Sequence, residues 1–270
     1  MTKSTLKFVC LAVFVAMLAA CQTESRSKTS TMGPNRGSSV SNSGFDRQKA
    51  AQTRLSAGLQ YLKMGNLKNA KRHLDKALEL GESSGNVHFG IAYYYEQVKE
   101  YSKAEKSYKK ALRMDPKNPD FLNGYASFLC YKGQYKKAEK YFNKAVDQPI
   151  YAEIASAYVN AGVCAKRAGH NDKAAAYFRK ALNRNAKLPV ALIEMAQSEF
   201  SKNRYRRAFS YIRRYEAVAR PTAKSLWLGL RVSHFLKDMD ALASYALKLE
   251  QLFPDSDETA EFLDHRSQWM

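Results

Sequence analysis

Residues 101–116 read Tyr101-Ser102-Lys103-Ala104-Glu105-Lys106-Ser107-Tyr108-Lys109-Lys110-Ala111-Leu112-Arg113-Met114-Asp115-Pro116, with Tyr101, Ala104, Tyr108 and Ala111 at intervals of three, four and three. Those intervals bring four side chains to one face of an α-helix, and Pro116 stops it. The same word returns 34 residues later as Tyr135, Ala138, Phe142 and Ala145, and 34 earlier as Leu67, Ala70, Leu74 and Ala77. Followed along the chain, its first alanine recurs as Ala70, Ala104, Ala138, Ala174, Ala208 and Ala241, at steps of 34, 34, 36, 34 and 33 residues. A period of that size marks stacked repeats, each too small to bury its own apolar stripe and completed by its neighbour.

Twelve residues before each alanine stands a small residue: Gly58, Ala92, Ala126, Gly162, Ala196 and Gly229. Two antiparallel helices must approach closely there, and a larger side chain would hold them apart. Small residue, alanine, large apolar residue and second alanine together form the tetratricopeptide pattern, six times over. The fold expected is all-α: a right-handed superhelix of six helix pairs plus a C-terminal capping helix. The pairs are expected near residues 47–81, 85–115, 119–148, 153–185, 189–219 and 222–253, so that the repeats fill 47–253. Residues 254–270 form the cap, offering Phe262, Leu263 and Trp269.

The first residues follow different physics. Lys3 and Lys7 precede an uncharged apolar run from Phe8 to Ala20, followed at once by Cys21. The run is shorter than the roughly 20 residues that span a bilayer, so residues 1–20 read as an export signal. Leu18-Ala19-Ala20-Cys21 resembles the bacterial lipobox, which implies cleavage before Cys21 and lipidation of that cysteine. Gln22 in place of an aspartate further implies sorting to the outer membrane, with the body facing the periplasm. Residues 21–46 comprise this cysteine and a stretch rich in Ser, Thr, Gly and Asn, which cannot bury enough surface to order itself and reads as a tether.

Export leaves Cys130 and Cys164, 34 residues apart, in the first helices of adjacent pairs. Either they bridge, as an oxidising compartment permits, or they are two buried free thiols. The formal charge is +19, and aromatic residues make up 12% of the chain. Much of the charge lies on second helices, as at Lys106, Lys109 and Lys110, or Arg206, Arg207 and Arg213. It is read either as a solvated convex face or as a surface for an anionic partner. For an exported protein that partner is lipopolysaccharide, anionic lipid or an acidic segment, and not nucleic acid.

The sequence holds no glycine-rich phosphate loop, nucleophile-elbow serine or pair of histidines at metal spacing, so neither an enzyme nor a cofactor or metal site is expected. His73, His88, His170, His234 and His265 lie scattered over different repeats. Binding must then come from surface shape. In helix-pair stacks the first helices line the concave groove, where Leu55, Leu59 and Leu62 continue into Phe89 and Tyr93. Exposed there, they would suit an amphipathic helix or extended segment of another protein. Ile193, Phe200, Leu226 and Leu230 make a second, weaker stretch.

The blocks Phe121-Leu122-Asn123-Gly124-Tyr125-Ala126-Ser127-Phe128-Leu129-Cys130 and Ala157-Tyr158-Val159-Asn160-Ala161-Gly162-Val163-Cys164 resemble those of the PilF/PilW family. Gly124 stands where that family usually has asparagine, and Ala126 where it has glycine. The resemblance covers nearly the whole chain. It implies an outer-membrane lipoprotein of six tetratricopeptide repeats serving type IV pilus biogenesis as a pilotin. Its partners would be the pilus secretin or an associated assembly protein, with a monomeric body and outer-membrane lipid held through Cys21. The other reading kept open is a lipidated repeat scaffold of a different envelope export complex, such as exopolysaccharide secretion.

Overall fold

The computed structural model describes residues 40–269, and among these the regular structure is entirely helical. Cys21 and residues 22–39 lie outside the described residues. Twelve helices form six antiparallel pairs: α1 (Val40–Lys63) with α2 (Leu67–Leu80), α3 (Gly85–Gln97) with α4 (Tyr101–Met114), and α5 (Pro119–Tyr131) with α6 (Tyr135–Val146). Then come α7 (Ile154–Arg167) with α8 (Asn171–Arg184), α9 (Pro189–Ser201) with α10 (Tyr205–Glu216), and α11 (Ala223–Leu236) with α12 (Met239–Leu252). Two short helices, α13 (Asp257–Asp264) and α14 (Arg266–Trp269), close the stack. This is the tetratricopeptide superhelix; five pairs follow the alanine ladder, and in the sixth the place expected for Ala241 is taken by Leu242, one residue on, which is buried and bonds back to the Asp238 carbonyl.

Burial explains the period. Ala70, Ala104, Ala138, Ala174 and Ala208 are buried between helices, while Ala241 packs at the margin of the last cluster. Four residues on, Leu74, Tyr108, Phe142, Phe178, Ile212 and Tyr245 all reach the core. These large side chains lie on the small residues of the preceding helix. A Cβ added at Gly162 would stand 2.6 Å from the Phe178 ring, and one at Gly229 would stand 2.6 Å from Tyr245. The small residue is therefore a seat for the partner helix's largest side chain; at Gly162 and Gly229 a methyl group would make the ring give way, whereas Ala92, Ala126 and Ala196 carry one at the same place.

Each first helix ends on a residue in the left-handed region, which turns the chain back for the second. Gly65, Gly133 and Gly169 supply it at φ 72°, 73° and 78°; Lys99, Asn203 and Lys237 adopt it at 61°, 55° and 59° without glycine's freedom. Side-chain caps start several helices, among them Ser84, Asn118, Thr222 and Ser256, and Pro119 and Pro189 open α5 and α9 where a missing N–H costs nothing.

Two expectations need correction. Helix α1 begins at Val40, so residues 40–46 of the stretch read as tether are helical. No proline interrupts 40–63, and α1 is held near its start where the Arg47 guanidinium donates to the Glu79 carbonyl at 2.8 Å. The cap is two helices broken at His265, in which Phe262 is fully buried but Leu263 remains 46% exposed. Leu263 faces solvent because one helical face, carrying Thr259 and Phe262, already fills the contact with the last pair.

Candidate partner-binding groove

First helices of neighbouring pairs touch one another directly, α5 on α7 and α9 on α11, whereas each second helix meets the next pair's first helix. The layer of first helices is thus the tighter one and forms the inner side of the curve. Its surface is built from residues of α3, α5 and α7.

The apolar strip expected there is only partly available. Leu55 is 3% exposed and Leu62 is 6% exposed, so both belong to the core. Leu55 packs with Leu74, Val87 and Ile91, and its side chain occupies the space that a Cβ on Gly90 would need. Leu59 is half-buried at the edge of that cluster. The face carrying Leu55, Leu59 and Leu62 is the one α1 turns towards α2 and α3, which leaves little of it for a partner. Phe89 is half-buried, stacked on Phe121 at 5.1 Å between ring centroids and edge-on to Tyr108 at 5.7 Å. Tyr93, one turn on, is 44% exposed. At the far end Phe200, Leu226 and Leu230 are core residues and Ile193 packs against them, so the second apolar stretch is closed.

Gly124 is what admits Phe89. A Cβ at that position would overlap the Phe89 ring, so the absent side chain lets the ring lie flat between α3 and α5. Beside it Asn160 donates its carboxamide N–H to the Asn123 oxygen at 3.2 Å, joining α5 to α7 across the groove floor. Both asparagines are half-buried, with amide capacity remaining for a further hydrogen bond. Sequence reading quoted them only as family blocks and missed them as groove residues. The available signal was a carboxamide at matching depth in two successive first helices that are otherwise apolar.

One side of the groove is walled by Glu96, which accepts a hydrogen bond from the Tyr108 hydroxyl at 2.8 Å. Burial holds the Glu96 carboxyl above its ordinary range, with the Tyr108 hydrogen bond pulling the other way. Burial first, and the Glu96 charge second, push the Tyr108 hydroxyl upward. Beyond Asn160, Cys130 and Cys164 are joined in a disulfide with Cα atoms 5.7 Å apart, so the inner walls of pairs 3 and 4 are covalently tied. Behind the bridge, burial and Glu139 push the Tyr177 hydroxyl up to about 12. The cavity at this place, lined by Tyr135, Cys164, His170 and Tyr177, measures about 40 Å³, room for a few waters but no substrate. Among the described residues no cluster of His, Cys, Asp or Glu could hold a metal, and no helix is long and apolar enough to cross a membrane. The surface can grip an extended or helical polypeptide through an aromatic patch and a pair of carboxamides.

Comparison with known proteins agrees with the repeat architecture. Residues 86–149 match the family described as YpiA-like, C-terminal tetratricopeptide repeats, and residues 51–82 and 120–187 match tetratricopeptide-repeat families. The type IV pilus assembly protein PilF of Pseudomonas aeruginosa is 33% identical over 216 residues, which covers 80% of this chain and 86% of that protein. The solved structure of Pseudomonas aeruginosa PilF superposes with a TM-score of 0.75 at 32% identity, covering 82% of this chain and 99% of the other. That of PilW, a type IV pilus biogenesis factor, gives a TM-score of 0.70 at 25% identity over 79% of this chain and 98% of the other. Tetratricopeptide scaffolds of this kind bind proteins and carry out no chemistry. With PilF alike in sequence along most of both chains and in the course of the backbone, the chain belongs to the PilF/PilW family of tetratricopeptide-repeat proteins in type IV pilus biogenesis.

Proposed function

We propose that this protein is a lipoprotein of the outer membrane, acylated at Cys21, that holds a pilus-assembly client in the groove of pairs 2 to 4 and assists the pilus secretin to localise and multimerise. The observation that carries the reading is the inner surface of α3, α5 and α7: exposed Tyr93, the Phe89 ring seated over Gly124, and the Asn123–Asn160 pair. An aromatic anchor beside carboxamides suits a polypeptide, since the ring supplies buried area and the amides satisfy backbone groups. Support for the pilus comes from the likeness to PilF and PilW, and support for the anchor from the Leu18-Ala19-Ala20-Cys21 sequence. Lipid fixes the membrane address while the groove holds the client, so the two meet at raised effective concentration.

The test uses a photo-crosslinking residue at Tyr93 in living cells, with and without Asn123→Ala and Asn160→Ala elsewhere in the groove. Capture of secretin or another pilus-assembly protein is expected. Affinity should fall by about tenfold or more in the double variant, the scale of losing one interface anchor, while helical content stays unchanged. Cys21→Ala should preserve capture but scatter secretin multimers away from the outer membrane. Normal multimers in the Cys21 variant would defeat the anchor, and undiminished capture in the groove variant would move the client site elsewhere.

A further inference from the structure

The turns between first and second helices form one continuous edge of the repeat stack. Lys132 lies 4.5 Å over the Tyr101 ring, and the Tyr101 and Tyr131 hydroxyls meet at 2.8 Å, joining the turns of pairs 2 and 3. The disulfide joins pairs 3 and 4; Lys202 pairs with Asp172 at 2.7 Å, joining 4 and 5; and Tyr205 stacks on Phe235 at 4.5 Å, joining 5 and 6.

Charge is sorted onto this edge. Residues 132–137, 166–173 and 202–207, the turns of three consecutive pairs with the helix ends beside them, contain ten lysines and arginines against one carboxylate, Asp172. Four of the ten reach carboxylates: Lys166 to Glu194, Lys173 to Glu139, Lys202 to Asp172 and Arg204 to Glu199. Lys132, Lys136, Lys137, Arg167, Arg206 and Arg207 are exposed and have no carboxylate within 4.0 Å among the described residues. The opposite edge is more evenly charged: the linkers 115–120, 147–153, 185–188 and 217–222 carry four carboxylates and three lysines and arginines, and residues 255–264 carry five carboxylates and no lysine or arginine. These stretches therefore carry a local excess of unpaired positive charge, beside the lysines and arginines spread over the second helices.

We propose that the edge formed by the turns of pairs 3, 4 and 5 lies against an anionic phospholipid surface. Six unpaired cations distributed along three stacked turns match a plane of headgroups better than a single enclosed ligand, because adjacent pairs stand roughly 10 Å apart, about one Debye length, and act together on a flat field. That edge exposes Tyr131 by 53%, and its continuation in pair 6 exposes Phe235 and Met239 by 48% and 50%, side chains that favour the interfacial layer of a bilayer. The inference stands apart from the groove: variants at Tyr93 or Asn160 leave the edge intact, so either reading can fail alone.

The experiment takes the full chain carrying Cys21→Ala, so that no acyl chain contributes, and measures partition onto vesicles of phosphatidylcholine with or without phosphatidylglycerol. Each cation near an anionic surface strengthens binding roughly fivefold, so Lys136→Gln, Lys137→Gln, Arg206→Gln and Arg207→Gln together should lower the phosphatidylglycerol-dependent part by roughly a hundredfold or more. A matched variant, Lys106→Gln, Lys140→Gln, Lys180→Gln and Lys248→Gln, removes as much charge from second helices further along from the turns and should retain binding within about threefold. Hydrogen exchange on vesicle addition should slow at residues 132–137 and 202–207 in the parent chain. Equal losses in the two variants, no preference for phosphatidylglycerol, or binding to polyglutamate but not to vesicles would each overturn the assignment, the last giving the edge to an acidic protein segment.

Discussion

Six residues end the first helices in the left-handed region, and they divide by chemistry: Gly65, Gly133 and Gly169 against Lys99, Asn203 and Lys237. For a residue with a Cβ that conformation costs roughly 1–2 kcal/mol, partly offset by the smaller entropy it loses compared with glycine. Lys99→Gly and Lys237→Gly should therefore each raise stability by about 0.5–1 kcal/mol, read as a higher urea midpoint with unchanged slope. Both side chains are exposed and neither forms an ion pair among the described residues, so a loss of stability in either variant would show that the lysine acts through something other than its backbone. The left-handed glycines could be read in advance, since Gly65 and Gly133 stand just before a repeat word. The lysines could not, because propensity argues against them and only the 34-residue frame puts Lys99 and Lys237 in the same place. Leu55 and Leu62 teach the converse lesson. Helical spacing identifies a face but not what that face meets, and in α1 it meets α2 and α3.

Between elements, the disulfide is the feature whose effect can be isolated. Cys130 stands eight residues before its repeat alanine and Cys164 ten before its own, with a two-residue insertion in the linker, so sequence left both the bridge and the free thiols open. The helices absorb that offset because two residues amount to about 3 Å of rise and neighbouring first helices cross at an angle, which brings the Cα atoms to 5.7 Å. The bridge closes a 34-residue loop through α6, the insertion and most of α7. Constraint of the unfolded chain by a loop of that length contributes about 3–4 kcal/mol. Cys130→Ser with Cys164→Ser should lose about that much in denaturant unfolding, and reductant should lower the parent protein equally while leaving the double variant unmoved. Hairpin packing was legible from the alanine ladder because it repeats. The Asn123–Asn160 contact and the Phe89 seat on Gly124 were not, because they join different repeats and depend on how far one pair rotates against the next.

Across the whole molecule, stability in a stack of pairs is a sum of local and nearest-neighbour contributions, so damage at one end should stay at that end. The chain provides its own reporter. Both of its tryptophans lie at the C-terminal end, where Trp269 meets Trp227 edge-on at 5.1 Å and α13 buries Phe262 completely against the last pair. Thr259 secures the same helix by donating its hydroxyl to the Phe253 carbonyl at 2.7 Å. Phe262→Ala removes a fully buried ring, a change that costs about 3–5 kcal/mol where the site cannot collapse. In a globular domain that loss would shift every probe together. Here tryptophan fluorescence, which sees only pair 6 and its cap, should report unfolding at lower urea than circular dichroism, which sees all the helices, and the two curves should separate. Hydrogen exchange should quicken in α11 to α13 while α3, α5 and α7 keep their protection, and crosslinking from Tyr93 should persist. Coincident curves would mean that the six pairs unfold as one cooperative body, and the groove could then no longer be treated as independent of the far end of the stack.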